Sequence, residues 1–298
     1  MERKSSIDLF GAVSLTLFAI VLGVNQVAIK LGNTGFQPVF MAGLRSLGAL
    51  IVMVLWMKLR GVPIRIRPGT WPSGLLLGLL FSLEFCCLFF ALDWTTVART
   101  SILFYTMPVW LGFAAHWLLD GEKMSPMKLA GQGLAVVGVA IAVFNRGGAG
   151  EASLLGDALA LGAAFCWGGI ALVARLGAVR QTRPEMQLLW QLMVSAPILL
   201  LISPLFGPLI RDLQPYHFGL LLFQVVAVAS LGFLFWFWLL TIYPASSVAS
   251  FSFLTPILGV ALGWLVLGEQ VGPGILIALA LVCAGLLLIN RPVKGPPR

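Results

Sequence analysis

Residues Trp71–Leu92 read WPSGLLLGLLFSLEFCCLFFAL, 22 positions carrying one formal charge, Glu84. A hydrocarbon core about 30 Å thick needs roughly 20 apolar residues per helix. The stretch therefore reads as a membrane-crossing helix. Working outward from it, nine more such stretches lie near residues 8–29, 36–58, 97–118, 127–144, 155–174, 184–204, 215–242, 246–267 and 272–290. The predicted fold class is all-α integral membrane, with ten transmembrane helices. Composition agrees: 59% of residues are hydrophobic, 10% are charged, and the mean hydropathy is +0.99, far from the soluble norm. The connections are too short for a soluble domain. Met1-Glu2-Arg3-Lys4 could pass for the start of a signal peptide, but nine further spans follow, so the first helix is read as retained.

A pI near 9.8 and a net charge of +8 would suggest nucleic acid in a soluble protein. Here the basic residues have a topological explanation. Arg45 lies inside a span, Lys30, Arg99, Arg146 and Arg211 fall on one side, and the other fourteen of the 19 Lys and Arg fall on the opposite side. Basic residues collect on the cytoplasmic side. The expectation is a multi-pass protein of the bacterial inner membrane with both termini cytoplasmic, whose partners are the lipid bilayer and a small-molecule substrate, not nucleic acid.

Laid over the first half at an offset of 145 to 148 residues, the second half repeats its punctuation. Gly11, Gly23, Lys30, Leu31 and Gly32 fall on Gly156, Gly168, Arg175, Leu176 and Gly177. Pro38, Arg45 and Pro108 fall on Pro184, Gln191 and Pro256. Gly121-Glu122, Pro126 and Gly138 fall on Gly268-Glu269, Pro273 and Gly285. Two five-helix repeats, 1–147 and 148–298, follow. An odd number of spans per repeat makes the second enter the membrane from the opposite side, so the repeats are inverted, the recurrent architecture of secondary transporters.

Three motifs carry a family resemblance: Ala91-Leu-Asp-Trp-Thr-Thr-Val-Ala98, Tyr105-Thr-Met-Pro108 and Leu119-Asp-Gly-Glu122, echoed as Ser252-Phe-Leu-Thr-Pro256 and Leu267-Gly-Glu269. The whole chain resembles the EamA-type branch of the drug/metabolite transporter superfamily, and within it is most similar to bacterial exporters of aromatic amino acids. The resemblance implies export of aromatic and other neutral amino acids by alternating access. A nucleoside or a cationic drug is the alternative cargo. Where the family often has Trp-Gly late in the first helix, this chain has Leu22-Gly23, keeping the pair only as Trp167-Gly168.

A charge inside a span is costly, about 2.5–3.5 kcal/mol on insertion scales, so each one asks for a reason. Arg45 sits seven residues after Pro38, and Glu84 eight before Leu92; at 1.5 Å per residue both lie about 10–12 Å below the same surface. Asn25 and Gln26 occupy the same third of the first span. The four are expected to converge on one water-accessible cavity, where Arg45 would pair with a carboxylate and Glu84 with an ammonium group. The alternative is a buried Arg45–Glu84 ion pair that only fixes packing. On the inner side, Gln187 and Gln191 hold the place that symmetry assigns to the Arg45 region; they are neutral, so the two mouths are expected to differ in charge. Gln224 either extends the polar set or is interhelical glue. Tyr105, Trp110, Trp167 and Phe251 are candidates for stacking on a flat substrate. Pro108 and Pro256, read as well inside the fourth and ninth spans, are candidate gating kinks.

The small-residue stripe Gly131, Ala135, Gly138 and Ala142 suits close helix packing or a homodimer, with a monomer equally open. Cys86, Cys87, Cys166 and Cys283 all fall within spans, without metal-site spacing. No nucleotide loop, catalytic triad or metal motif is present, so no cofactor and no enzyme activity are expected. An intramembrane enzyme would need paired titratable groups near one face, and Glu84 and His116 fall on opposite sides.

Overall fold

The computed structural model describes residues 7–118, 124–145, 153–243, 248 and 250–290. Every regular element is helical. They are α1 Leu9–Gly35, α2 Pro38–Leu59, α3 Trp71–Trp94, α4 Val97–Phe104, α5 Met107–Leu118, α6 Pro126–Phe144, α7 Leu154–Leu176, α8 Pro184–Ile202, α9 Pro215–Phe223, α10 Leu231–Ile242, α11 Leu254–Leu267 and α12 Pro273–Ile289. Short 3₁₀ turns lie at Ala178–Gln181, Ser203–Phe206 and Ser250–Phe253, and a π turn at Gln224–Val228 joins α9 to α10. Among the described residues, seven helices are long and apolar enough to cross a membrane. The other three spans are α4 with α5, α11 with its leading 3₁₀ turn, and α12, which makes ten.

Local chemistry sets the helix starts. Pro38, Pro126, Pro184, Pro215 and Pro273 each open a helix, where proline's missing N–H has no partner to lose. Asp8, Thr96, Ser125 and Ser153 cap α1, α4, α6 and α7 by accepting from the backbone N–H three residues on, which satisfies a donor that the helix leaves free. α1 runs six residues beyond the predicted end at 29. The run of Asn25, Gln26, Lys30 and Asn33 weakens its hydropathy, yet Asn25, Gln26 and Asn33 are buried against other helices, so the helix continues.

The inverted relation is written in the packing of α6 on α12. A Cβ built on Gly131 would lie 2.8 Å from the Gly285 carbonyl, one on Gly138 would lie 2.9 Å from that of Ala278, and one on Gly285 would fall against Gly131. Shifting by 147 residues turns the pair 131/285 into 278/138, so the two contacts are one contact seen across a pseudo-two-fold axis. The small-residue stripe is thereby spent inside the chain, leaving nothing of it for a dimer. α3 packs on α7, and α2 and α3 flank α8. Gly43 faces Leu200, Gly74 faces the Trp190 ring and Gly78 faces Val194.

Candidate substrate site

The backbone brings α1, α2 and α3 together so that the polar residues of all three converge. Asn25, Gln26, Arg45 and Glu84 are 5%, 1%, 2% and 4% exposed. The expected water-accessible cavity is therefore occluded in this conformation. The Arg45 guanidinium lies over the Phe85 ring, 4.0 Å from its centroid, a cation–π placement that partly replaces lost water. Its Nε has no hydrogen-bond partner. Arg45 and Glu84 lie within electrostatic reach of one another, yet no Arg45 nitrogen comes within 4.0 Å of a Glu84 oxygen. The packing-only ion pair is thus not formed. Asn25 Oδ1 and Gln26 Oε1 are also buried without partners.

One wall of this polar group is aromatic. Tyr105, buried at 5% exposure, stands near Gln26 and Glu84. The Trp167 ring stacks on Phe104 at 5.0 Å and 21°, and meets Tyr105 edge-on at 6.0 Å. Trp110 stands a turn beyond. Its Nε1 donates to Thr106 Oγ1 at 2.9 Å and its ring faces Phe165.

Tyr105 comes from a break in the fourth span. Tyr105 and Thr106 form a turn between α4 and α5, which corrects the placement of Pro108 within a continuous kinked helix. Pro108 is the second residue of α5, in a first turn where its lack of an N–H costs little. Pro256 is placed likewise, third in α11 after the 3₁₀ turn Ser250–Phe253. Both breaks lie at the start of the proline-bearing helix.

Three candidates lie elsewhere. Gln187 donates to the Val179 carbonyl and Gln191 to that of Gln187. Residue 43 of α2 meets Leu200 of the antiparallel α8, so Gln191 is nine residues, about 13 Å, from that level. Phe251 packs with Leu15 and Tyr243, at the far end of α1 from Gln26. The two glutamines thus lie at the mouth opposite Arg45, on the inner side expected for them. His116 Nδ1 accepts from the Met124 N–H. Asp120, four residues on, lies outside the described residues.

One buried charge pair escaped the sequence reading, which counted Arg99 as a loop residue. Arg99 is 4% exposed and Asp157 0%. Arg99 Nε donates to both Asp157 oxygens at 3.0 and 3.2 Å, and its other nitrogens reach the Asn145 and Val143 carbonyls. The sign that could have found it is Asp157, an acid three residues into α7 with no other cation in sequence reach.

The end of the bundle that holds Lys30 is closed by hydrogen bonds. The segment after α8 lies across the α1–α2 junction. Gln37, Arg211 and Asp212 N–H groups bond the Leu209, Gly35 and Thr34 carbonyls, at 3.0, 2.9 and 3.1 Å. The Arg211 guanidinium holds Asp93 at 2.7 Å and the Asn33 carbonyl at 2.9 Å. Beside it, Glu269 accepts from the Val97 and Ala98 N–H groups at the start of α4, at 2.6 and 2.9 Å. Gly268, at φ +66°, supplies the left-handed turn that ends α11 and aims Glu269 there. Lys30 Nζ donates to the Leu92 and Thr95 carbonyls. Among the described residues no cluster of His, Cys, Asp or Glu could hold a metal ion.

Two stretches, residues 9–144 and 154–291, match the EamA-like transporter family. The chain is 30% identical over 295 residues to "Uncharacterized transporter YvbV" of Bacillus subtilis (strain 168), covering 95% of this chain and 92% of that protein. It is 26% identical over 297 residues to a "Probable amino-acid metabolite efflux pump" of Escherichia coli (strain K12), covering 97% and 95%. A protein of known crystal structure shares the fold at a TM-score of 0.67 and 19% identity, over 92% of this chain and 94% of that one.

Proposed function

Since the chain belongs to the EamA-like transporter family, we propose that it exports aromatic and other neutral amino acids across the bacterial inner membrane by alternating access. The observation that carries the substrate class is the pairing of charges that do not touch with an aromatic wall. Arg45, buried over Phe85 with an unpaired Nε, stands apart from Glu84. A zwitterion inserted between them offers a carboxylate to one and an ammonium to the other. Its ring would lie against Tyr105 and Trp167, which already accept rings in stacked and edge-on geometry. The relative named as an amino-acid metabolite efflux pump supports the same cargo and direction.

The repeats 1–147 and 148–298 serve as the two moving units, with the breaks at Tyr105–Thr106 and ahead of Pro256 as hinges. Both termini are cytoplasmic. Reporters fused after Arg146 should be external and those fused after Arg183 cytoplasmic, and the same side for both refutes the inverted arrangement. A zwitterion moved without a proton carries no net charge, so flux follows its concentration gradient and ignores membrane potential.

The test is uptake of labelled tryptophan into proteoliposomes, competed by phenylalanine, tyrosine, alanine and a nucleoside, with external pH recorded. Competition by the aromatic amino acids without pH change is expected. Competition by the nucleoside alone retains the transporter and removes this substrate. Substrate-driven acidification or alkalinisation removes the uncoupled mechanism.

A further inference from the structure

Gln224 is fully buried, and neither its Nε2 nor its Oε1 has a partner. A glutamine serving as glue between helices would bond a neighbouring helix, and this one does not. It opens the π turn Gln224–Val228, where its carbonyl accepts from the Ala229 N–H at 2.8 Å, five residues on, and Ser230 Oγ donates to the Val225 carbonyl at 2.8 Å. Single π turns are rare inside helices and concentrate at functional sites. Two independent features, an unpaired buried amide and the bulge that aims it, therefore coincide at one residue.

Its neighbours fix where it points. The open side of Gly32 on α1 faces both Met41 and Gln224 Nε2, the latter 3.8 Å from a built Cβ. Met41 precedes Arg45 by one turn on the same face of α2. Val225, next in sequence to Gln224, lies against Gly48, three residues after Arg45. The π turn thus brackets Arg45 along α2. Gln26, on the Tyr105 side of the group, is six residues from Gly32, about 9 Å along α1. Gln224 and the rings are therefore on opposite sides of the Arg45 level.

We propose that Gln224 determines specificity by donating from Nε2 to the substrate carboxylate that Arg45 holds, making a two-residue carboxylate clamp with the aromatic wall at its other end. This rests on the amino-acid reading above. It adds a residue that the repeat symmetry does not supply and explains why an amide is buried unbonded: its partner arrives with the cargo.

The experiment uses full-length protein in proteoliposomes. KM and kcat for tryptophan, and inhibition of that uptake by tryptophanamide, which keeps the ring and ammonium but has no carboxylate, are measured for wild type, Gln224→Leu, Gln224→Asn and Gln224→Glu. Monodisperse elution and Tm report folding. Gln224→Leu should raise the tryptophan KM on the order of tenfold, the worth of one bond to a charged group, with kcat and the tryptophanamide inhibition constant nearly unchanged. Gln224→Glu, setting a carboxylate against a carboxylate, should reverse the preference toward tryptophanamide. Equal shifts for both compounds in every folded variant, or none, overturn the clamp. If Gln224→Leu does not fold, Gln224→Asn carries the same comparison. A wild-type protein that transports tryptophan while the variants keep its selectivity refutes this inference alone. One that transports no carboxylate-bearing solute refutes the amino-acid reading, and the clamp with it.

Discussion

Arg99 and Asp157 offer the sharpest test of what holds the Lys30 end together. The pair joins α4 to the start of α7 and, through the Asn145 and Val143 carbonyls, to the end of α6. Thr95 Oγ1 also donates to Asp157 Oδ1 at 3.1 Å. Arg99→Met would leave a fully buried carboxylate with one hydroxyl donor in place of a guanidinium. Removing one member of a buried pair costs about 3–5 kcal/mol, because the remaining charge stays uncompensated. For a chain of this size that is a fall of about 6–10 °C in Tm, at roughly 2 °C per kcal/mol. The double variant Arg99→Met/Asp157→Leu removes the orphan as well as the pair, and should recover all but about 1–2 kcal/mol, the share of the two freed carbonyls. The assay is thermal unfolding of purified protein in one detergent, followed by intrinsic fluorescence, with the tryptophan KM measured alongside. Arg99 lies six residues from Tyr105, so KM should hold in whatever protein stays folded. A double variant as unstable as Arg99→Met would refute the reasoning, since the loss would then come from packing volume and not from the stranded charge.

Arg45→Gln should reduce saturable uptake of a carboxylate-bearing substrate much more than it reduces folded protein, since it removes the charge that would hold the carboxylate; an unstable protein with normal uptake would make Arg45 a packing residue. Gly138→Val must push α6 off α12 and should cost about 1–3 kcal/mol, whereas Gly133→Ala on the same helix, with nothing within 4 Å of its Cβ, should be silent; equal Tm shifts refute the seam. Arg211→Ala breaks a half-exposed pair and should change stability by less than about 1 kcal/mol, yet amide exchange at Gln37 and Arg211, whose N–H groups bond across the junction, should quicken as the segment across α1 and α2 loosens; unchanged exchange refutes its role as closure. Burial pushes the Glu269 carboxyl above its ordinary 4.5, against the pull of two N–H bonds and Lys30. The folded chain then holds that proton more tightly than the unfolded one, so this contribution is complete below about 4.5 and is lost as pH rises through the raised value. Glu269→Gln should flatten the fall of Tm over that window, and an identical profile would show that another group sets it.

The spans were legible because hydropathy and length are one-dimensional properties, and Trp71–Leu92 announces its role with no partner in view. The frame of the site was legible for a related reason: charges cannot sit in hydrocarbon unexplained, so Arg45 and Glu84 pointed to each other by depth alone. What the sequence hid depends on which faces meet. Arg99 follows the polar run Asp93-Trp-Thr-Thr and so looks like a surface cation; only the arrival of α7 and the end of α6 buries it. The π turn at Gln224 has no signature in a run of residues as apolar as Leu220–Val228.

That same axis separates what the two halves share from what they do not. The α6–α12 seam, the helix-opening prolines and the two span breaks obey the symmetry, and these are the parts that must work equally well facing either side. The charges do not obey it. Arg45 maps onto Gln191, whose amide is bonded to its own helix at Gln187 and so offers no counterpart to a free guanidinium. The buried charges Arg45 and Glu84 are therefore placed once, on α2 and α3, while the span breaks occur twice. On the alternating-access proposal, one set of charges is presented to whichever side is open, and the affinities of the two states would differ only through the closures around that set. Those closures also differ: at the Lys30 end they are the Arg211 segment and the Glu269 cap on α4. Changing them should alter the apparent affinity from one side of the membrane and leave the other untouched, whereas changing Arg45 should alter both.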